Sequence, residues 1–239
     1  MDQSLERIIP DQVTNHKGFE GKTLALHLER YHYAGGYMKS GNIADVACGV
    51  GYGSYLLAKE YGENIKQIIA ADLSVEAIQY AKANYAHEKI DFIVANVLEL
   101  NFRTQLDTII SLETIEHLEK PHLFVQHMSK QLCVGGRFIA SVPITPSMDA
   151  NPYHLHDFTA ETFRRIFETN GFRQIDSFIQ VQSYRPFSVL QKSSVRQTDL
   201  RKNILSYYLK HPGKFFLRLR SILTDGFKNK YLVAAFEKL

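Results

Sequence analysis

The sequence predicts an α/β fold: a doubly wound, mostly parallel seven-stranded sheet with helices on both faces and a helical insertion before the last strand. Three observations predict it. Short apolar segments alternate with amphipathic ones along most of the chain, as in strand–helix–strand units. Glycines 49, 51 and 53 follow the first apolar segment and open a helix. Of the 239 residues 45% are hydrophobic, including 15 Phe and 13 Tyr, enough to bury a large core.

The elements follow in chain order. Residues 23–40 read as a helix with Leu24, Leu28, Tyr31 and Met38 as its apolar positions, weakened at the far end by Gly35-Gly36. Asn42–Ala47 is a strand and Gly53–Gly62 a helix; Ile65–Ala71 is a strand and Val75–Tyr85 a helix. Ile90–Ala95 and Leu106–Leu112 are strands, His122–Leu132 a helix and Gly136–Pro143 a strand. After the loop 144–158, Ala160–Asn170 is a helix stopped by Gly171 at a left-handed cap position. Thr159 is expected to cap its start alone, Thr162 not completing a capping box. Phe172–Val181 and Tyr231–Glu237 complete the sheet, with helices at 199–210 and 213–223 between them. The later of these places Phe215, Phe216, Leu219, Ile222 and Leu223 on one side and Lys214 and Arg218 on the other. Residues 1–182 and 231–239 thus form the main domain, and 183–230 an appendage.

Composition narrows the class. No window approaches the ~20 apolar residues of a bilayer-spanning helix. The start, MDQSLERIIPDQ, lacks the basic-then-apolar pattern of a secretory signal. Two cysteines, Cys48 and Cys133, argue against a disulfide scaffold or a thiolate zinc cluster and fit a reducing, cytoplasmic compartment. The net charge of +3 hides a split: residues 1–182 carry 16 Lys+Arg and 22 Asp+Glu, or −6, and residues 183–239 carry 12 and 3, or +9.

Ligands of doubly wound sheets bind at the carboxyl ends of the strands. The stretch Asp45-Val-Ala-Cys-Gly-Val-Gly-Tyr-Gly53 lies there, and Ala71-Asp72-Leu73-Ser74 ends the next strand. Glycine lets backbone approach a ligand where a Cβ would clash. Asp72, 23 residues after Gly49, can accept both hydroxyls of a ribose. A dinucleotide fingerprint would need its third glycine at position 54, which is Ser54, and has no use for Asp45. The stretch instead resembles motif I of class I S-adenosylmethionine (SAM)-dependent methyltransferases, D-x-G/A-C-G-x-G-x-G. The resemblance covers roughly residues 23–182 plus the final strand.

That resemblance implies a cofactor site. Asp45, Ala47, Gly49 and Gly51 would form the motif, the two glycines lining the methionine part of SAM. Asp72 would hold the ribose with Leu73 beside the adenine. Asn96-Val97 stands where many members have an Asp contacting adenine N6; an Asn amide oxygen can accept that bond. Leu112, ending the fourth strand, completes the set. Arg30-Tyr31 resembles a His/Glu-x-x-Arg-Tyr pattern that places these residues near the SAM carboxylate; a surface ion pair is the alternative.

After the fourth strand comes Ser111-Leu-Glu-Thr-Ile-Glu-His-Leu118. In a helical turn Glu113, Glu116 and His117, at i, i+3 and i+4, share a face. The loop Asn151-Pro-Tyr-His-Leu-His-Asp-Phe158 crosses the same rim, so Glu113, Glu116, His117 and His156 are expected to converge. Two carboxylates and two imidazoles suit a divalent cation, Mg²⁺ or Mn²⁺. The arrangement resembles the magnesium site of small-RNA 3′-terminal 2′-O-methyltransferases and the cation-assisted ubiquinone-pathway O-methyltransferases. Metal-free substrate contact and a purely structural role stay open, since a Glu-His pair here is frequent in members without metal. His154 is the candidate general base beside His117; histidine's ordinary pKa, near 6.5, suits proton removal at neutral pH.

The segments E-T-I-E-H-L and N-P-Y-H together resemble bacterial methyltransferases of types 11 and 12, many acting on sugars. The expected reaction is O-methylation of a hydroxyl on a saccharide or other vicinal diol. Alternatives are metal-independent O- or N-methylation of a small metabolite or quinone precursor, and a SAM- or RNA-binding protein without turnover. The basic appendage suggests an anionic small-molecule or glycan acceptor ahead of RNA. Its segment 213–223 also suits peripheral contact with the inner membrane face.

Overall fold

The structure, a computed structural model, describes residues 8–10, 13, 19–183 and 203–239. The strands are β1 (Gly41–Val46), β2 (Ile65–Asp72), β3 (Ile90–Val94), β4 (Leu106–Leu112), β5 (Leu132–Pro143), β6 (Phe172–Ser183) and β7 (Lys228–Lys238). They form one sheet in the order β3-β2-β1-β4-β5-β7-β6. The pairs among β1 to β5 are parallel, and β7 runs antiparallel to both β5 and β6. The helices are α1 (Phe19–Tyr37), α2 (Tyr52–Glu60), α3 (Val75–Asn84), α4 (Pro121–Gln131), α5 (Ala160–Glu168), α6 (Ile204–Lys210) and α7 (Pro212–Asp225). Strand order reverses between β1 and β4, which opens a crevice above their carboxyl ends.

Period-two alternation sorts the strand residues between two cores. Ala44, Val46, Phe138, Ala140, Ala234 and Phe236 pack with the aromatics of α4 and α5. Ile43, Ile139 and Ala235 face the other way, against Tyr31, Leu57 and Ile78. In the first core the Phe167 and Phe236 rings stack at 3.9 Å.

Several boundaries differ from those expected. Residues 35 and 36 lie inside α1, and Gly35 is required there because a Cβ would stand 2.4 Å from the Tyr61 ring. Leu132 belongs to β5, paired with Leu106, and not to the preceding helix. β6 and β7 run on to pair Ser183 with Lys228, three residues earlier than the expected start of the last strand. α7 is longer than 213–223, and the described part of the expected helix at 199–210 begins at Ile204; residues 199–202, like 184–198 of the appendage, lie outside the described residues. Thr159 and Thr162 do form a capping box: each hydroxyl accepts the other's backbone N–H, at 2.9 and 3.1 Å. The Thr162 hydroxyl thus does the work usually given to a Glu or Gln at that position. Among the described residues no helix is long and apolar enough to cross a membrane.

Phe236 sits where the reversed strand meets α5, fully buried. Phe236→Ala should lower stability by about 3–5 kcal/mol, read from denaturant unfolding with an unchanged m-value.

Candidate active site

The turn after β1 sets the site. Ala47, Gly49 and Gly51 have φ of 65°, 58° and 86°, the left-handed region. Ala47 is one of two non-glycine residues so placed among the described residues; the other is Glu113 at φ 50°. A Cβ on Gly49 would meet nothing within 4 Å, so its backbone borders open space. Gly51 differs: a Cβ there would strike Phe92 at 2.6 Å and Ala81 at 2.7 Å, so this glycine serves packing beneath the turn. Gly53 likewise gives room to the Tyr31 ring, 1.9 Å from its absent Cβ.

Asp45 does not reach the rim. Alternation along β1 turns it toward α1 and α2, where it is buried. It accepts from the Ser54 hydroxyl at 2.6 Å and the Tyr31 hydroxyl at 3.1 Å. Burial pushes its carboxyl up to about 6, against the opposing pull of those two hydrogen bonds. Burial and the neighbouring Asp45 also raise the Tyr31 hydroxyl well above its ordinary range. Both residues brace the turn from below. The sequence marks Ser54 only as the place of an absent glycine, yet its hydroxyl is the closest partner of Asp45.

The next strand end carries Asp72. Its carboxylate accepts from Gly49 N and Ser74 N, both at 2.9 Å, and so joins the two loops. Leu73 follows, 71% exposed, an apolar platform at the rim. Asn96 is engaged locally: its side chain accepts from Leu98 N at 3.1 Å and donates to Glu99 at 3.0 Å. Val97 is buried with Val46, and Leu112 packs half-buried on the opposite core. Arg30 is buried; it donates to Gln180 at 2.6 Å, lies 3.7 Å from Glu113 and stacks over Tyr231 at 4.6 Å. It therefore ties α1 to the ends of β4, β6 and β7.

Glu113, Glu116 and His117 do not share a helical face. The left-handed φ at Glu113 breaks the turn, and only Ile115–His117 forms a short 3₁₀ segment. Glu113 points to Ser141, whose hydroxyl donates to it at 2.7 Å. Glu116 is turned inward and is fully buried. His156 leaves the expected set as well, because its Nε2–H donates to the Leu118 carbonyl at 2.9 Å. His154 takes its place. Glu116, His117 and His154 bring ligand atoms within 4.8 Å of one another, and the two imidazoles meet edge to face with centroids 4.8 Å apart. His117 Nδ1–H donates to the Tyr153 carbonyl at 3.1 Å, which places its basic lone pair on Nε2. His154 Nδ1 lies 2.8 Å from the Ser147 hydroxyl. Ser147, which no sequence pattern singled out, also donates its backbone N–H to Asp157 at 2.7 Å.

The appendage grips this loop. Lys214 of α7 meets Asp157 at 2.6 Å, and Arg218 meets Asp149 through Nε at 2.7 Å. Tyr208 of α6 donates to the same Asp149. Burial pushes both carboxyls up, but their cationic partners and hydrogen bonds pull them further down, so each ends below its ordinary value. Two of the cations expected to meet an anionic acceptor are thus committed within the molecule.

Residues 44–140 match a family described as the methyltransferase domain. SAM is the donor that the glycine motif implies. The residues fit that donor: open backbone at Gly49, an acid at the end of β2 and an apolar platform beside it. The matched residues hold the turn, Asp72, Asn96 and Glu116-His117, whereas His154 and the appendage lie beyond them. The chain is 31% identical to norajmaline N-methyltransferase of Rauvolfia serpentina over 42% of this chain and 35% of the relative. It is also 31% identical to malonyl-[acyl-carrier protein] O-methyltransferase of Priestia megaterium, over 41% and 35%. The chain spans about a third of the length of these curated relatives. An N-methyltransferase from Bradyrhizobium japonicum in complex with S-adenosyl-L-homocysteine shares the fold, with TM-score 0.56, 16% identity, 91% of this chain and 86% of that one covered.

Asp45 generates a pH prediction. Its folded pKa of about 6 exceeds its ordinary 3.8, so between these values the folded protein binds more protons than the unfolded chain. Its contribution to stability therefore falls as pH rises through that window. Asp45→Asn should lose this slope: variant minus wild-type stability should rise by about 2 kcal/mol from pH 4 to pH 6. Chemical denaturation across that range measures it.

Proposed function

We propose that this chain methylates a hydroxyl oxygen of a saccharide or another vicinal-diol acceptor, with SAM as donor. The observation that carries this reading is the convergence of Glu116, His117 and His154 at the carboxyl ends of β4 and β5. SAM supplies a methyl group already made electrophilic by its sulfonium. What the protein must supply is alignment of the acceptor and removal of its proton, since a neutral hydroxyl is a poor nucleophile.

His154 is the proton acceptor in this reading. The Ser147 hydroxyl leans on Asp157 at 3.5 Å, so His154 Nδ1–H donates to Ser147 and the basic lone pair stands on Nε2. That Nε2 would take the acceptor's O–H proton as the oxygen bonds the methyl carbon and the S–CH₃ bond breaks, the thioether leaving. Asp72 would hold the ribose hydroxyls, Leu73 would face the adenine, and Gly49 would admit the methionine portion.

The same three residues fit a divalent cation. One carboxylate and two imidazoles leave positions for a diol, and this donor set suits Mn²⁺ better than Mg²⁺, which prefers oxygen. A bound cation would lower the hydroxyl's pKa. A metal-free reading is favoured by one observation: Glu113 and His156 are held by Ser141 and Leu118, so the four-residue set does not assemble. In that version the imidazole alone takes the proton, and a small metabolite or quinone precursor suffices as acceptor. An anionic acceptor would rely on cations other than Lys214 and Arg218.

Two measurements test the proposal. Asp72→Ala should weaken SAM binding by about tenfold or more in calorimetry, as expected for loss of a charge-assisted hydrogen bond. His154→Ala should leave SAM binding unchanged and lower transfer from radiolabelled SAM to a panel of saccharides and diols by about 10²–10⁴-fold. Paramagnetic resonance should detect Mn²⁺ bound by the wild type and not by Glu116→Gln. Full transfer in excess EDTA would assign proton removal to histidine alone.

A further inference from the structure

Helix α7 is amphipathic, and it is mounted with its charged side inward. Lys214 and Arg218 face the body and are committed to Asp157 and Asp149. The opposite side projects outward: Phe216 is 65% and Leu223 77% exposed. Helix α6 adds Leu205 and Leu209, 78% and 85% exposed, one turn apart. Neither helix contains a buried residue. Scattered surface leucines are ordinary, but large exposed apolar side chains gathered on two consecutive helices mark a contact surface.

Charge identifies the occupant. Between Ile204 and Asp225 the chain carries four Lys or Arg and a single acid, Asp225. That acid is tied to Lys230 at 2.5 Å. With Lys214 and Arg218 committed, Lys210 and Arg220 remain exposed beside the apolar residues. A second copy of this face would bring the same cations together. A partner that offers both an apolar interior and a negative surface satisfies both features. Helices of 7 and 14 residues cannot span a bilayer but can lie in its interface.

We propose that α6 and α7 dock on an anionic lipid bilayer, with Leu205, Leu209, Phe216 and Leu223 entering the headgroup boundary and Lys210 and Arg220 meeting lipid phosphates. The inference does not depend on the methyl acceptor. It also gives the inward ion pairs a consequence: they hold the helices on the loop that carries His154, so the site would sit close to the lipid surface.

The test is co-sedimentation of the full chain with vesicles of phosphatidylcholine alone and of phosphatidylcholine mixed with phosphatidylglycerol. Wild type should bind the anionic vesicles about tenfold or more tightly than the neutral ones. The double variant Phe216→Asp, Leu223→Asp should weaken that binding by about tenfold or more. Lys210→Glu with Arg220→Glu should remove the preference for anionic vesicles. All four side chains are exposed, so both variants should keep the wild-type circular dichroism and melting temperature. Failure of wild type to sediment with either vesicle, or equal binding by the Phe216/Leu223 variant, would overturn the proposal. So would a concentration-dependent dimer in light scattering that this variant abolishes, which would assign the face to a second copy.

Discussion

The buried carboxylate of Asp45 is the constraint on which the rest of the site depends. A carboxylate taken out of water is costly unless its lone pairs are satisfied. Here the Ser54 and Tyr31 hydroxyls meet it, and they come from α2 and α1. One side chain therefore fixes the register of two helices against β1. With both ends of the turn held, Ala47, Gly49 and Gly51 take their left-handed conformations. Gly53 lets the Tyr31 ring reach its place. The open backbone at Gly49 is the product of packing below it.

Acids recur at the rim as acceptors of backbone N–H groups. Asp72 joins Gly49 to Ser74, and Asp157 holds Ser147 and Met148. Charge-assisted bonds of this kind order loops that have no ladder of their own. At Asp157 the same carboxylate also receives Lys214, so the order of the His154 loop extends into α7. The charge split between the two parts of the chain is thereby closed in part from within. Basic residues that looked available to a ligand turn out to hold the loop that carries His154.

The inverted mounting of α7 follows from the same pairs. Asp149 is almost fully buried, and Arg218 reaches it with two nitrogens while Tyr208 donates from α6. Once Lys214 and Arg218 turn inward, the i, i+7 spacing of Phe216 and Leu223 carries the apolar side outward. Satisfying buried charge thus sets which face of the appendage meets the surroundings.

The alternation of segments, the glycine turn and Asp72 were legible from residue order, because strand and helix periods and left-handed turns are local properties. They determined the fold class and the methyltransferase motif, down to Gly171 as a helix stop at φ 82°. Spacing failed where a single dihedral intervened. Glu113, Glu116 and His117 share a face only if Glu113 is helical, and its φ of 50° sends its carboxylate to Ser141 and Arg30 instead. The partners of Asp45, Asp149, Asp157 and His154 were beyond reach for a different reason. Each such contact joins segments brought together only by sheet order and loop packing, and residue order carries no period that marks them. Sequence alone determined which chemistry the strand ends could hold. Only the tertiary structure decided which carboxylates are spent on holding the fold, and which side of α7 faces out.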